Sequence, residues 1–271
     1  MESNDVAMTF WEHLEELRRR IIICLISLGA FSFIGLLFTG PIRYILELPL
    51  NSPIGNMIAN AIETGAGEDG SILGFIALTL RTGSSNVEAE LVFTGPLQNI
   101  MSYLILGITT GVIISIPVIL YQVWMFIIPA LKKSERRLAL PLFFMILFFF
   151  ILGAVFAHLI VVPVVLHFAA DLFPEIRNLW DFKTYIGFVT VLVLGFGVAF
   201  ELPIVMAFLA RIGITDSRGF RGKQRHALLG IAVLSAILTP ADPASMVLMA
   251  IPLFILYQLG IFFAFLVEKE A

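Results

Sequence analysis

Thiol and imidazole groups are few in this chain. A single cysteine, Cys24, among 271 residues excludes an intrachain disulfide and any cysteine-built zinc or redox motif. The four histidines, His13, His158, His167 and His226, stand in four different segments. No metal-ligand spacing arises from them, and no metal or other cofactor is expected. Charge is scarce too: 14% of the residues are Asp, Glu, Lys or Arg, against about 25% in soluble domains. Neither a Walker-type phosphate loop nor a nucleophile elbow occurs, so the chain is not expected to be an enzyme.

What the chain does have is apolar length. It is 59% hydrophobic and carries 25 Phe, where soluble domains are about 45–50% apolar. This composition predicts an all-α integral membrane protein, a single membrane domain over residues 1–271. A spanning helix needs about 20 apolar residues. Six runs qualify or nearly so: 21–38, 95–128, 138–162, 185–209, 226–238 and 245–267. The first follows Arg18, Arg19 and Arg20 without an A-x-A-like cleavage site, and it exceeds the usual signal-peptide core of about 7–15 residues. It reads as a retained signal-anchor helix.

Six spans put both termini on one side. Of the 17 Lys and Arg residues, thirteen fall on that side: Arg18–Arg20, the 132–137 loop, the 211–225 loop and Lys269. Four, Arg43, Arg81, Arg177 and Lys183, fall on the other. The positive-inside rule then makes both termini cytoplasmic.

Two spans have unusual lengths. Run 95–128 is longer than a hydrocarbon core of about 30 Å requires, and Pro117 suggests a kink or tilt. Run 226–238 is short, so it either thins the bilayer locally or is shielded by its neighbours. The outer loop, 39–94, is long, and its stretch 51–86 is rich in Gly, Ser and Asn. It is expected to form short helices capping the outer face, with a disordered insertion as the alternative. Internal repeats and inverted symmetry are not visible, which weighs against a secondary transporter.

Three polar constellations stand out from this background. Residues 8–20 form a cytoplasmic amphipathic helix with a Thr9–Glu12 capping box and Trp11, Leu14, Leu17 and Ile21 on one face. Its Glu15 and Glu16 either support Arg19 and Arg20 at i,i+4 spacing or serve a ligand. The loop 129–137 sets Glu135 among four cations. Glu135 either pairs locally with Arg136 or Arg137, or is a surface carboxylate suited to the planar fork of a guanidinium. Glu201 is the one carboxylate placed inside an apolar span. A charge there costs roughly 2.5–3.5 kcal/mol or more, so it should serve a proton relay, a ligand or partner, or a buried pair.

These residues also carry a resemblance. The strings are His13-Leu14-Glu15-Glu16-Leu17-Arg18, Pro117 through Tyr121-Gln122-Val123-Trp124 to Phe126 and Pro129, Glu135-Arg136-Arg137, Phe196-Gly197 to Glu201 and Pro203, Gly213-Ile214-Thr215, and Leu238-Thr239-Pro240 with Asp242 and then Ala250-Ile251-Pro252. In this order they resemble the TatC family, the multi-spanning receptor subunit of the twin-arginine protein translocase. The resemblance implies a non-enzymatic receptor for folded precursors whose signal peptides carry an Arg pair. By motif position, Glu16 and Glu135 would bind the signal peptide. Glu201 would line an intramembrane docking site for small single-span Tat subunits of the TatA/TatB type, in a hetero-complex containing more than one copy of the chain. Leu14, Arg18, Pro49, Gln122, Phe126, Arg137 and Asp242 fall at supporting family positions. The long outer loop and Gln258, which replaces a glutamate of some members, depart from the pattern. The residue-level alternative is a proton-coupled secondary transporter using Glu201.

Overall fold

The computed structural model describes residues 10–51, 90–130, 139–171, 179–239 and 243–268. Within them the chain is helical apart from two three-residue strands. Five helical stretches are long and apolar enough to cross a membrane, and a sixth, Gln224–Leu238, is shorter. Large apolar side chains such as Leu25, Ile26, Phe33, Leu37 and Phe148 are exposed along them. Such belts would be an aggregation hazard in water, and they are the ordinary surface of a helix that faces lipid.

The described residues divide into two compact units, residues 1–43 with 100–148 and residues 44–99 with 149–271. The first is built on α1 (Phe10–Leu37) and α3 (Gln98–Ile127). The amphipathic segment and the first span are therefore one continuous helix. Its partner α3 runs unbroken through Pro117. Lipid tails are as apolar as leucine, so helices in a bilayer associate by close approach of small residues. Gly107 and Gly111 of α3 supply that approach, meeting Leu36 and Ser32 of α1, while a Cβ on Gly35 would lie 2.7 Å from the Gly107 carbonyl. The Tyr103 hydroxyl adds a hydrogen bond to the Leu36 carbonyl.

The second unit is centred on α6 (Phe182–Ala199). Phe182, Tyr185, Ile186, Val189, Leu192 and Phe196 recur at 3–4 spacing, and all are buried. That is the periodicity of one helix face. Gly153 lies against Phe196 and Phe200, and Gly197 against the Phe150 ring, so these contacts leave no room for a side chain.

The third apolar run continues past its expected end at residue 162. Helix α4 (Ala139–Phe156) passes through a π-turn (Ala157–Val161) into α5 (Val162–Asp171). Pro163 lacks the N–H a regular helix would use, and a π-turn is one of the local adjustments by which membrane helices absorb a proline.

The fourth run breaks where the sequence suggests one helix. Helix α6 ends at Ala199 and α7 (Leu202–Arg211) begins after two intervening residues. The Phe200 N–H bonds to the Phe196 carbonyl at 2.9 Å, and the Glu201 N–H closes a tighter turn onto Val198 at 3.1 Å. Pro203 in the first turn of α7 has no N–H to continue the ladder.

Downstream, α8 (Ser217–Gly222), α9 (Gln224–Leu238) and α10 (Pro243–Glu268) complete the unit. Helix α7 packs lengthwise on α10, with Gly260 against Pro203 and Met206. At about 1.5 Å per residue, α9 is shorter than a bilayer core of about 30 Å.

Of residues 39–94, the structure describes α2 (Thr39–Glu47), a 3₁₀ turn (Leu48–Asn51) and a strand, β1 (Glu90–Val92). The first two match the expected short helices; residues 52–89 lie outside the described residues. Strand β1 pairs in parallel with β2 (Leu179–Asp181), Leu91 opposite Trp180. The purely helical expectation missed this pair, since three-residue strands show no alternation to read. Asp181 ends β2 and caps α6, accepting bonds from the Thr184 N–H at 2.9 Å and hydroxyl at 2.8 Å. Those bonds, with help from the Thr94 hydroxyl and Lys183, hold its carboxyl below the usual carboxylate range.

Candidate functional site

The N-terminal turns of α1 and the C-terminal half of α3 enclose an open cavity of about 460 Å³. It is lined by Glu12, Glu15, Glu16, Arg19, Arg20 and Ile23 from α1 and by Gln122 from α3. Spacing of three and four residues puts the α1 members on one helix face. Three carboxylates face two guanidiniums, so the cavity carries a net negative charge.

Arg20 organises the floor of this cavity. It donates one N–H to Glu16 Oε1 at 2.9 Å and another to Gln122 Oε1 at 2.8 Å. The Glu16–Arg20 pair is the i,i+4 support anticipated from spacing. Gln122 is buried at 8% exposure, and its amide has found the partner that burial demands. Nearby, His13 stacks on Phe126 with ring centroids 4.2 Å apart and planes 16° from parallel. That stack joins the start of α1 to the end of α3. Leu14 and Arg18 point to the exposed side of α1.

Glu201 belongs to the other unit. It stands in the break between α6 and α7, with exposed Val198 one turn before it and exposed Val205 one turn after. The Phe150 backbone faces the carboxylate, yet neither oxygen has a partner at hydrogen-bond geometry among the described residues, and both are buried. The ten residues of α7 separate it from Arg211, about 15 Å along the helix. Pro49, also in this unit, is fully buried in the 3₁₀ turn, which packs on α5.

Of the residues singled out in the sequence, the structure therefore brings Glu16 and Gln122 to one cavity and sets Phe126 beside it. Glu201 and Pro49 are in the second unit. Glu135, Arg137 and Asp242 lie outside the described residues. Sequence reasoning missed two participants, Arg20 as the link between Glu16 and Gln122, and His13 as the partner of Phe126. Both stand in the same N-terminal stretch as Glu16, but only the approach of α3 reveals what they touch. Gln258, the departure from the family pattern, receives a hydrogen bond from Gln224 at 3.3 Å.

A bundle of apolar helices with a charged cavity at one helix end and a buried carboxylate in a broken span defines a multi-spanning membrane protein of the transport and translocation class. Residues 12–252 match the family model described as Sec-independent protein translocase protein (TatC). The chain belongs to the TatC family, a family of protein translocase components rather than enzymes.

Relatives agree over nearly the full length. The TatC protein of Aquifex aeolicus (strain VF5) is 34% identical, the match covering 97% of each chain. That of Escherichia coli (strain K12) is 32% identical over 93% of this chain and 86% of its own. A crystal structure of the twin arginine translocase receptor TatC superposes with a TM-score of 0.73 at 33% identity, covering 94% of this chain and 99% of that one. A second, in DDM, gives 0.74.

Proposed function

We propose that this chain is the core receptor subunit of a twin-arginine translocase. It binds Arg-Arg signal peptides of folded precursors at its cytoplasmic face through Glu16 and Glu135, and it docks small single-span TatA/TatB-type subunits in the membrane around Glu201. The observation that carries this reading is the acidic cavity at Glu16, roofed by α3. A carboxylate accepts the two parallel N–H bonds of a guanidinium, which an ammonium cannot supply. The two solved relatives are described as receptors of the twin arginine translocase, which supports the same reading.

The topology that goes with it is a single inner-membrane domain of six spans, α9 serving as the short fifth, with both termini cytoplasmic. Support comes from the thirteen-to-four distribution of Lys and Arg. Photo-crosslinking from positions 16, 135 and 201 tests the whole scheme. Positions 16 and 135 should capture an Arg-Arg precursor and position 201 a single-span partner; no precursor adduct from 16 and 135 sinks the receptor assignment.

One observation favours a second reading. A buried carboxylate without a partner, as at Glu201, is what a proton-coupled transporter would use. Small-solute uptake by the chain alone in proteoliposomes would establish that reading.

A further inference from the structure

The cavity that serves as receptor in the proposed function, on which this inference rests, is already engaged by the chain itself. Arg20 occupies Glu16 Oε1 and reaches Gln122 Oε1 with its other terminal nitrogen. Glu16 Oε2 is shut off from solvent and has no hydrogen-bond partner among the described residues, and the same holds for Arg20 Nε. An arriving guanidinium bonds best when it meets both carboxylate oxygens in a fork-to-fork arrangement. Here one oxygen is taken by a guanidinium and the other is out of reach.

We propose that Arg20 is an internal stand-in for the cargo's arginine: anchored on Gln122, it latches Glu16 closed and is exchanged for a signal-peptide guanidinium on binding. Three features support the exchange. The planar fork meets an acceptor on its own helix and another on α3 with two different nitrogens; a lysine would have to serve both from one. Gln122 is held in place by burial, so it can anchor one end of the fork while Glu16 is the end that opens. The replacement is also like for like. Arg20 gives Glu16 one bond; a cargo Arg can meet both carboxylate oxygens with its fork, whereas a cargo Lys approaches from a single nitrogen.

Arg20 thus sets the affinity of the site. The latch raises the threshold for every ligand by the same factor, while the preference for Arg over Lys stays with the carboxylate itself. Apparent affinity then falls by the fraction of molecules that are open.

The test uses the full-length protein in detergent micelles with fluorescent Arg-Arg and Lys-Lys signal peptides, binding read by anisotropy. Arg20→Lys keeps the charge that orients the first span but loses the fork, and Gln122→Leu removes the anchor while leaving Arg20. Each should tighten Arg-Arg binding about two- to five-fold, the range set by partly exposed ion pairs. Lys-Lys binding should gain by the same factor, so the ratio between the peptides holds. Glu16→Gln is the separate control on the receptor reading. If it leaves binding unchanged, that reading fails and the latch with it. If it abolishes binding while both latch variants bind no tighter than the parent, the latch is overturned and the receptor reading stands.

Discussion

Tyr185 donates its hydroxyl to the carbonyl of Leu46 at 2.6 Å. Beside it, His158 Nε2 donates to the Ile45 carbonyl at 2.9 Å, which assigns the proton to that nitrogen. Both acceptors are among the last four carbonyls of α2, the ones a helix cannot satisfy internally. Donors from α6 and from the π-turn therefore finish the C-terminus of α2 and hold the turn that contains buried Pro49. Tyr185→Phe should cost about 1–3 kcal/mol, the cost of leaving a buried acceptor unpaired, read as a lower thermal midpoint in detergent. Adding His158→Ala should cost less than the sum of the two, because both donors hold one helix end.

Close approach of α1 and α3 at Gly107 and Gly111 makes the second prediction. Gly111→Leu drives a side chain into the Ser32 backbone and should destabilise by about 1–3 kcal/mol through overpacking. A Cβ added at Gly29 would meet nothing within 4 Å, so Gly29→Ala should be neutral or slightly stabilising. Equal losses at both glycines would show that close packing at 111 is not what matters.

Acid sensitivity is expected at the start of α6. The Asp181 carboxyl is held below its usual range by Thr184, so its stabilising effect is present above the unfolded value of about 3.9. The effect is lost as pH falls through the lower folded value. Asp181→Asn should reduce stability at neutral pH by no more than about 1 kcal/mol, as for loss of an N-cap bond. Wild type and variant should converge near pH 2. Parallel melting curves from pH 7 to 2 would refute the capping account.

Glu201 makes the opposite kind of prediction. An unpartnered buried carboxylate costs stability, so Glu201→Gln should insert normally and melt no lower than the parent. Export of a twin-arginine reporter should nevertheless fail. A variant that melts lower would mean the carboxylate is paired.

Much of the architecture is legible in the residues themselves. Apolar runs locate the membrane-crossing part of each long helix, because a bilayer imposes length and composition together. Helix α1 nevertheless starts at Phe10, before its run, and the third stretch continues to Asp171, past its run. Two features escape for one reason, that backbone geometry inside a membrane answers to neighbours. The third run is read as ending at residue 162, and a π-turn carries the helix on through Pro163. Pro203 reads as compatible with one continuous span, and the helix breaks at Phe200–Glu201.

At the candidate site, Glu16 and Gln122 stand in separate strings, and each is legible on its own. Their connection through Arg20 needs α3 to arrive at α1, and no local periodicity encodes that meeting. The strands at 90–92 and 179–181 are invisible for a similar reason, each being too short to show a pattern until the other lies beside it.

The break in the fourth span has a mechanical side. Its first half, α6, is wedged against the π-turn and the Gly153 and Gly197 contacts, while its second half, α7, is packed along α10 through Gly260. One continuous stretch of chain thus answers to two different sets of neighbours, and the change of allegiance falls at Phe200–Glu201. Phe200 and Glu201 themselves keep right-handed helical dihedrals, so Glu201 stands where the span exchanges one set of packing partners for another without losing its course.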